Sequence, residues 1–194
     1  MRPNYQQLYD IAESQAGYFS SAQAREAGFS WERLSNNVKA RKFIRVEQGV
    51  YRLVQFPGSR FEDCFVAWLR TGTDSVISHD SALLLFDLSD ALPGKVHVIV
   101  PKTASRRHEG LQLHTNRLQK DEVTRREGLP VTTAARTIAD VAASHLAEEQ
   151  VLQAIQEALR RGLVTPEELN TQAERRKGRA RQLIIKGLER KEAI

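Results

Sequence analysis

Apolar residues along the first fifty positions recur with helical and then with strand periodicity. Tyr5, Leu8, Ile11 and Ala12 predict an amphipathic helix over residues 4–15, stopped by Gly17. Tyr18-Phe19 reads as a short extended link. Ser20, with Gln23 three residues on, forms a capping box and starts a short helix over 21–27 that ends at Gly28. Ser30 caps a third helix from Trp31 to about Ala40, with Trp31, Leu34 and Val38 expected as its inward stripe. Its opposite face is expected to present Arg33, Ser35, Asn36, Asn37, Lys39 and, at its end, Arg41.

Residues 43–46 (Phe-Ile-Arg-Val) alternate like a strand, Glu47-Gln48-Gly49 supplies a turn, and residues 50–53 (Val-Tyr-Arg-Leu) alternate again. Two helices joined by a three-residue turn containing Gly, followed by a hairpin, are the order of a winged helix-turn-helix. In that motif the second helix of the pair enters the major groove of duplex DNA. Asn36 and Asn37 match the bidentate donor and acceptor edge of adenine, Arg33 that of guanine, and Ser35 either, so these four are candidate base readers. Lys39, Arg41, Lys42 and Arg45 suit phosphates, with Gln48 and Arg52 reaching backbone or minor groove from the wing.

Pro57-Gly58-Ser59 is a turn-rich break, which predicts domains at 1–56 and 57–194. Beyond it, residues 61–69 have a helical pattern, Ser75-Val76-Ile77 is extended, and Ser78 is expected to cap a helix through Phe86. Residues 96–100 and 111–114 alternate as strands, and Val131 precedes a helix from Thr133 to about Ser144. Val151, Leu152, Ile155 and Leu159 form an apolar stripe, and Thr165-Pro166-Glu167-Glu168 is a second capping box. Leu183, Ile184, Ile185 and Leu188 give a basic final helix an apolar side, for docking onto the second domain or onto a partner subunit. The expected fold class is therefore α+β: a winged helix-turn-helix, then a mixed α/β domain with a helical C-terminal tail.

Charge sharpens this picture by its location. The chain of 194 residues has a formal net charge of +5. Residues 31–52 carry Arg33, Lys39, Arg41, Lys42, Arg45 and Arg52 against only Glu32 and Glu47. A second concentration, Arg175, Arg176, Lys177, Arg179, Arg181, Lys186, Arg190 and Lys191, is interrupted only by Glu189. Clusters of this kind are the footprint of phosphate contacts, and Arg175, Arg176, Lys177, Arg179 and Arg181 are candidates for a secondary nucleic-acid contact, or else a solvated helix face. Arg106-Arg107-His108 and Arg125-Arg126 read as exposed runs.

Candidate chemistry changes less. Ser78-His79-Asp80 has the residue types of a triad, but consecutive residues do not converge on one point, so it reads as a helix cap. At Val100-Pro101-Lys102 the position a nuclease needs as an acid is Val100. His79, His97, His108, His114 and His145 are dispersed without metal-ligand spacing, His97 and His114 fall within strands and read as structural, and Cys64 reads as a small buried hydrophobe. No P-loop or GxGxxG occurs in the chain. No catalytic group, metal or cofactor is expected, and neither a signal peptide nor a membrane span, so the expected location is cytoplasmic.

Tyr18-Phe19-Ser20-Ser21-Ala22-Gln23-Ala24-Arg25-Glu26-Ala27-Gly28, Gly49-Val50-Tyr51-Arg52-Leu53, residues 77–83 (Ile-Ser-His-Asp-Ser-Ala-Leu) and residues 129–140 (Leu-Pro-Val-Thr-Thr-Ala-Ala-Arg-Thr-Ile-Ala-Asp) together resemble the AbiEi-type antitoxins of bacterial type IV toxin-antitoxin systems. The resemblance spans about residues 5–145. It implies an N-terminal winged helix that represses its own operon at inverted repeats, and a C-terminal domain that counters a nucleotidyltransferase-like toxin, with or without contact. One departure is that Ala40-Arg41-Lys42 stands where such proteins usually carry a Gly between the third helix and the wing. Two other readings stay open from sequence. One is a nucleic-acid enzyme needing an acidic cluster around Asp80, Asp87, Asp90 or Asp121. The other is an interaction adaptor that does not bind DNA.

Overall fold

Asn4, Ser20 and Ser30 each end an extended segment and accept a hydrogen bond from the backbone three residues on, at 3.0, 3.1 and 3.2 Å. Each satisfies an amide that a helix start otherwise leaves orphaned. These caps begin α1 (Tyr5–Glu13), α2 (Ser21–Glu26) and α3 (Trp31–Lys39) in the computed structural model, which describes residues 2–89, 93–102 and 109–191. Gln23 completes the capping box by accepting from the Ser20 amide at 2.8 Å.

The chain divides into two units, residues 1–75 with 125–129, and residues 76–124 with 130–194. In the first, β1 (Tyr18–Ser20), β2 (Phe43–Glu47) and β3 (Val50–Leu53) form an antiparallel sheet in the order β1-β3-β2, so the expected extended link at Tyr18 is a third strand. A bulge between Arg45 and Glu47 and the left-handed Gly49 shape the tip of the hairpin. Leu8, Ala12, Phe19, Phe29, Leu34, Phe43, Tyr51 and Leu53 build the core beneath it. Gly17 lies at φ +91°, and a Cβ there would collide with the Phe56 side chain.

α4 (Glu62–Thr71) also belongs to this unit. Its Phe65 stacks on Tyr18 with centroids 4.7 Å apart, and the Tyr18 hydroxyl donates to Glu62 at 2.8 Å. The division therefore falls at Ser75–Val76 rather than at Pro57, because the segment after the turn-rich break packs back onto β1 and β3.

The second unit is built on a mixed sheet in the order β6-β5-β4-β8-β7. Its strands are β4 (Val76–Ile77), β5 (Val96–Ile99), β6 (Leu111–His114), β7 (Val123–Arg126) and β8 (Leu129–Thr132), the hairpin tip at residues 125–129 being counted in the first unit. Glu127 and Gly128, at φ +53° and +85°, close the β7–β8 hairpin with both central residues left-handed, which is the type I′ requirement. Its helices are α5 (His79–Leu85), α6 (Ala134–Ala143), α7 (Glu148–Arg160), α8 (Pro166–Glu174) and α9 (Arg179–Lys191). α6 is buried from Ala134 through Ala142 because α5, α7, α8 and α9 all pack around it. The apolar side of α9 docks within this unit, with Leu183 and Ile184 buried, while Ile185 lies outside the stripe at 37% exposure. The fold class is the expected one, a winged helix followed by a mixed α/β unit with a helical C-terminal tail. No helix among the described residues is long and apolar enough to cross a membrane.

Candidate nucleic-acid interface

Burial of Leu34 fixes which way α3 faces, and with it the fate of each predicted reader. Arg33, Ser35, Asn36 and Lys39 are exposed on its outer face, and Arg41, Lys42, Arg45 and Gln48 continue that exposed surface through the helix end into the wing. Between α3 and the wing lies an open cleft of about 480 Å³ bordered by Ser35, Arg45, Gln48 and Trp31. Glu47, one of the two acids in this stretch, is drawn aside by Arg70 at 2.7 Å, so positive charge dominates the face.

Two predicted contacts point inward instead. Asn37 is 7% exposed; its Nδ2 donates to the Arg33 carbonyl at 2.8 Å and its Oδ1 accepts from the Tyr5 hydroxyl at 3.3 Å. Both ends of the amide are thus committed to holding α3 against α1, which corrects its placement among the outward residues. Arg52 is likewise half-buried, with a guanidinium that donates to the Phe56 carbonyl, lies 5.8 Å over the Tyr18 ring and faces Glu62 at 4.0 Å. It braces the sheet and is not presented to a phosphate.

Trp31 departs from expectation in the opposite sense. It is 58% exposed rather than part of the inward stripe, with the Arg25 guanidinium 5.9 Å from its ring centroid. It sits at the N-terminal end of α3, the end from which recognition helices reach base edges. Periodicity missed it because i, i+3, i+7 spacing assigns an aromatic to the core face by default.

The helix end resolves the departure at Ala40-Arg41-Lys42. Lys42 donates to the Asn37 carbonyl at 2.9 Å and Arg41 to the Val38 carbonyl at 3.0 Å, a Schellman closure with Arg41 left-handed at φ +55°. α2 ends with the same pair of bonds, but there Gly28 takes the left-handed position. Arg41 therefore holds a backbone conformation suited to Gly while projecting a cation beside Lys42.

The C-terminal basic cluster is mostly spent inside its own unit. Arg175 pairs with Glu122 at 3.4 Å and with Asp121 at 3.8 Å, and Arg176 pairs with Asp140 at 3.2 Å. Arg179 donates to the Ala142, Ser144 and Leu146 carbonyls at 2.6–2.8 Å. These three are structural, which corrects their reading as nucleic-acid contacts; of the five, Lys177 and Arg181 are exposed with no ion pair among the described residues. The reason is Arg136, 3% exposed, whose Nε lies 2.9 Å from both oxygens of Asp140 and whose Nη1 lies 2.7 Å from Glu122. Two buried carboxylates need more than one cation, and α8 and its following turn supply them.

Among the described residues Asp80, Asp87 and Asp121 form no convergent acidic group; Asp90 lies outside the described residues, as do Arg106, Arg107 and His108. Ser78 occupies the cap position of α5, but its side chain accepts no bond from the helix and lies 3.0 Å from His79 Nδ1. The histidines are not dispersed in space. His79 stacks on His114 with centroids 3.7 Å apart, and His114 Nε2 lies 3.2 Å from His97 Nδ1. Burial, reinforced by neighbouring imidazoles, pushes His79 down to about 3 and His114 down to about 4, and burial lowers His97 against the pull of Asp80. Cys64 is buried as expected, its thiol pushed up to about 12 by burial.

An outward, cationic recognition helix followed by a hairpin wing in a three-stranded sheet defines a winged-helix protein of the DNA-binding type, joined to a second mixed α/β unit. The profile of the AbiEi antitoxin transcriptional regulator matches residues 6–54, and that of the AbiEi antitoxin C-terminal domain matches residues 75–189. The chain belongs to the AbiEi antitoxin family, a family of regulatory antitoxins of toxin-antitoxin systems. No curated protein matches it.

Proposed function

We propose that this protein is the repressor and antitoxin of a type IV toxin-antitoxin system, acting in the cytoplasm. It binds inverted repeats upstream of its own operon through the first unit and opposes a nucleotidyltransferase-like toxin through the second. The observation that carries the DNA-binding half is the continuous exposed face formed by Arg33, Ser35, Asn36, Lys39, Arg41, Lys42, Arg45 and Gln48 beside the α3–wing cleft.

In this reading α3 lies in the major groove. Arg33, Ser35 and Asn36 read base edges, each good bidentate pair contributing about 1–3 kcal/mol of discrimination. Trp31, exposed at the head of the helix, packs against sugar or a thymine methyl. Lys39, Arg41, Lys42 and Arg45 neutralise phosphates, and Gln48 donates to the backbone from the wing. Four phosphate contacts predict that log affinity falls with log salt at a slope of about −3 to −4 per bound protomer. Inverted repeats are filled either by a dimer or by two protomers side by side.

The test compares the affinity of the purified protein for its own upstream DNA and for scrambled DNA at two salt concentrations. Selective binding that Asn36→Ala abolishes, with Lys39→Ala weakening both DNAs alike, is the expected result. Equal, weak binding to both DNAs sinks the sequence-reading claim. The antitoxin half is tested by growth of cells expressing the toxin encoded beside this gene, with and without the full chain. Failure to restore growth removes that role.

A further inference from the structure

The second unit brings three histidines together from three separate elements. His97 on β5 pairs in register with Gln112, and His114 lies two residues further along β6, so both imidazoles leave the same face of the sheet. His79, the first residue of α5, reaches them from a left-handed backbone at φ +50°, a conformation sparsely populated by residues other than Gly. One ring nitrogen from each of the three lies within 4.8 Å of the others. The His97 Nδ1 to His114 Nε2 separation of 3.2 Å is close to the edge of roughly 3.3 Å that metal-to-nitrogen bonds of ~2.0–2.1 Å give in a tetrahedron.

The surroundings suit a dication. The other nitrogen of His97, Nε2, faces Asp80 Oδ2 at 3.7 Å, the carboxylate-histidine arrangement that orients a ligating imidazole and raises its basicity. Asp80 Oδ1 is buried and lacks a hydrogen-bond partner among the described residues. Ser78 Oγ holds His79 Nδ1 at 3.0 Å. Arg136 and Arg176 act against positive charge at His79, and their pairing with Glu122 and Asp140 offsets part of that effect. His79 and His114 stack with centroids 3.7 Å apart and ring planes 9° apart, so ligation by both turns the His79 ring out of the stack.

The geometry points to a binding site for one divalent transition-metal ion, with His79, His97 and His114 as ligands and Asp80 as a positioning residue behind His97. Three imidazoles favour zinc, copper or nickel over magnesium or calcium, which take oxygen ligands. Three protein ligands leave a fourth position for water. The ion clips the start of α5 to β5 and β6, reinforcing the bond that the Ser78 amide donates to the His97 carbonyl at 3.0 Å. This property is independent of DNA binding by the first unit.

The experiment uses the full chain without a histidine tag, stripped with chelator and titrated with Zn²⁺ against a chromophoric competitor, with the Co²⁺ absorption spectrum as a second readout. One Zn²⁺ per chain and a tetrahedral Co²⁺ spectrum are expected. His114→Gln is expected to eliminate that uptake, Asp80→Asn to weaken it ~10–100-fold, and His145→Gln to leave it unchanged. Circular dichroism of each variant establishes folding; should His114→Gln not fold, the Asp80→Asn affinity and the wild-type Co²⁺ spectrum decide. Absence of stoichiometric uptake by the wild type overturns the assignment, as does uptake that persists undiminished in folded His114→Gln or in Asp80→Asn.

Discussion

Asn36 and Asn37 are adjacent, chemically identical and assigned to opposite jobs, so replacing each by Ala tests the orientation of α3. Asn37→Ala removes two hydrogen bonds, to the Arg33 carbonyl and from the Tyr5 hydroxyl. At ~1 kcal/mol net for each, less ~0.5 kcal/mol recovered from the better helix propensity of Ala, the cost is about 1.5 kcal/mol at most. The long 3.3 Å bond to a half-exposed tyrosine brings it nearer ~1 kcal/mol. For a unit of this size that lowers Tm by about 4–8 °C. Asn36→Ala removes no bond within the described structure and gains the same propensity, so its Tm stays level or rises slightly. It is expected to lose about 1–3 kcal/mol of discrimination, or roughly 5–150-fold in the preference for the protein's own upstream DNA. Thermal melting and competition binding at fixed salt, run on both variants, separate the two effects. If Asn37→Ala instead abolishes selectivity at unchanged Tm while Asn36→Ala is silent, α3 is rotated by about 100° from the orientation described, and the assignment of every residue on its face is refuted.

Arg41→Gly relieves a left-handed residue that bears a Cβ, so urea melts are expected to show a gain of about 1 kcal/mol. The same variant loses one phosphate contact, which a salt titration reads as a slope shallower by about 0.9. Arg136→Met strands Glu122 and Asp140 as buried carboxylates and is expected to cost ~3–5 kcal/mol in denaturant melts. Burial works against ionisation of Glu122, but the Gln119 amide, Gln172 and Arg136 outweigh it and hold its carboxyl below the usual value of 4.5. Its contribution is therefore complete above that pH and is lost as pH falls through the lower folded value, so acid melts of the wild type steepen there. Arg179→Ala uncaps three carbonyls at the end of α6, and melts are expected to show a loss of stability while the salt slope of DNA binding stays unchanged.

Local signals carried the winged helix. The caps at Ser20 and Ser30 and the alternation at residues 43–46 and 50–53 fix helix starts and strands because each depends on residues within one turn or one pleat. Their failures came where a distant residue decides. Tyr18-Phe19-Ser20 is too short to alternate and becomes a strand only because Arg52, Tyr51 and Val50 lie opposite it. Asn37 turns inward because the Tyr5 hydroxyl reaches it from α1, 32 positions earlier. The turn at Pro57-Gly58-Ser59 looked like a boundary, but the phenol of Tyr18 captures both the Ser59 amide and Glu62, and so draws α4 back. The histidines at 79, 97 and 114 share no spacing that a motif search recognises, since their convergence is created by the pairing of β5 with β6 and by the helix start beside them.

The two basic clusters show why charge counts underdetermine function. Both were compatible with phosphate binding from composition, and the fold divides them by what lies within reach of each cation. In the first unit the acids near α3 are few, and Glu47 is already held by Arg70, so Arg33, Lys39, Arg41, Lys42 and Arg45 stay at the surface. In the second, burying Glu122 and Asp140 beside a single Arg136 leaves more negative than positive charge in a low-dielectric setting. Arg175 and Arg176 supply the missing charge from the end of α8. Arg179, with a planar fork suited to several acceptors at once, closes the carbonyls left open where α6 stops. A cation committed in this way has lost the hydration and freedom that make counterion release favourable at a polyanion, so the salt dependence of DNA binding should be set by the first cluster, with Lys177 and Arg181 the only members of the five C-terminal candidates left to add to it.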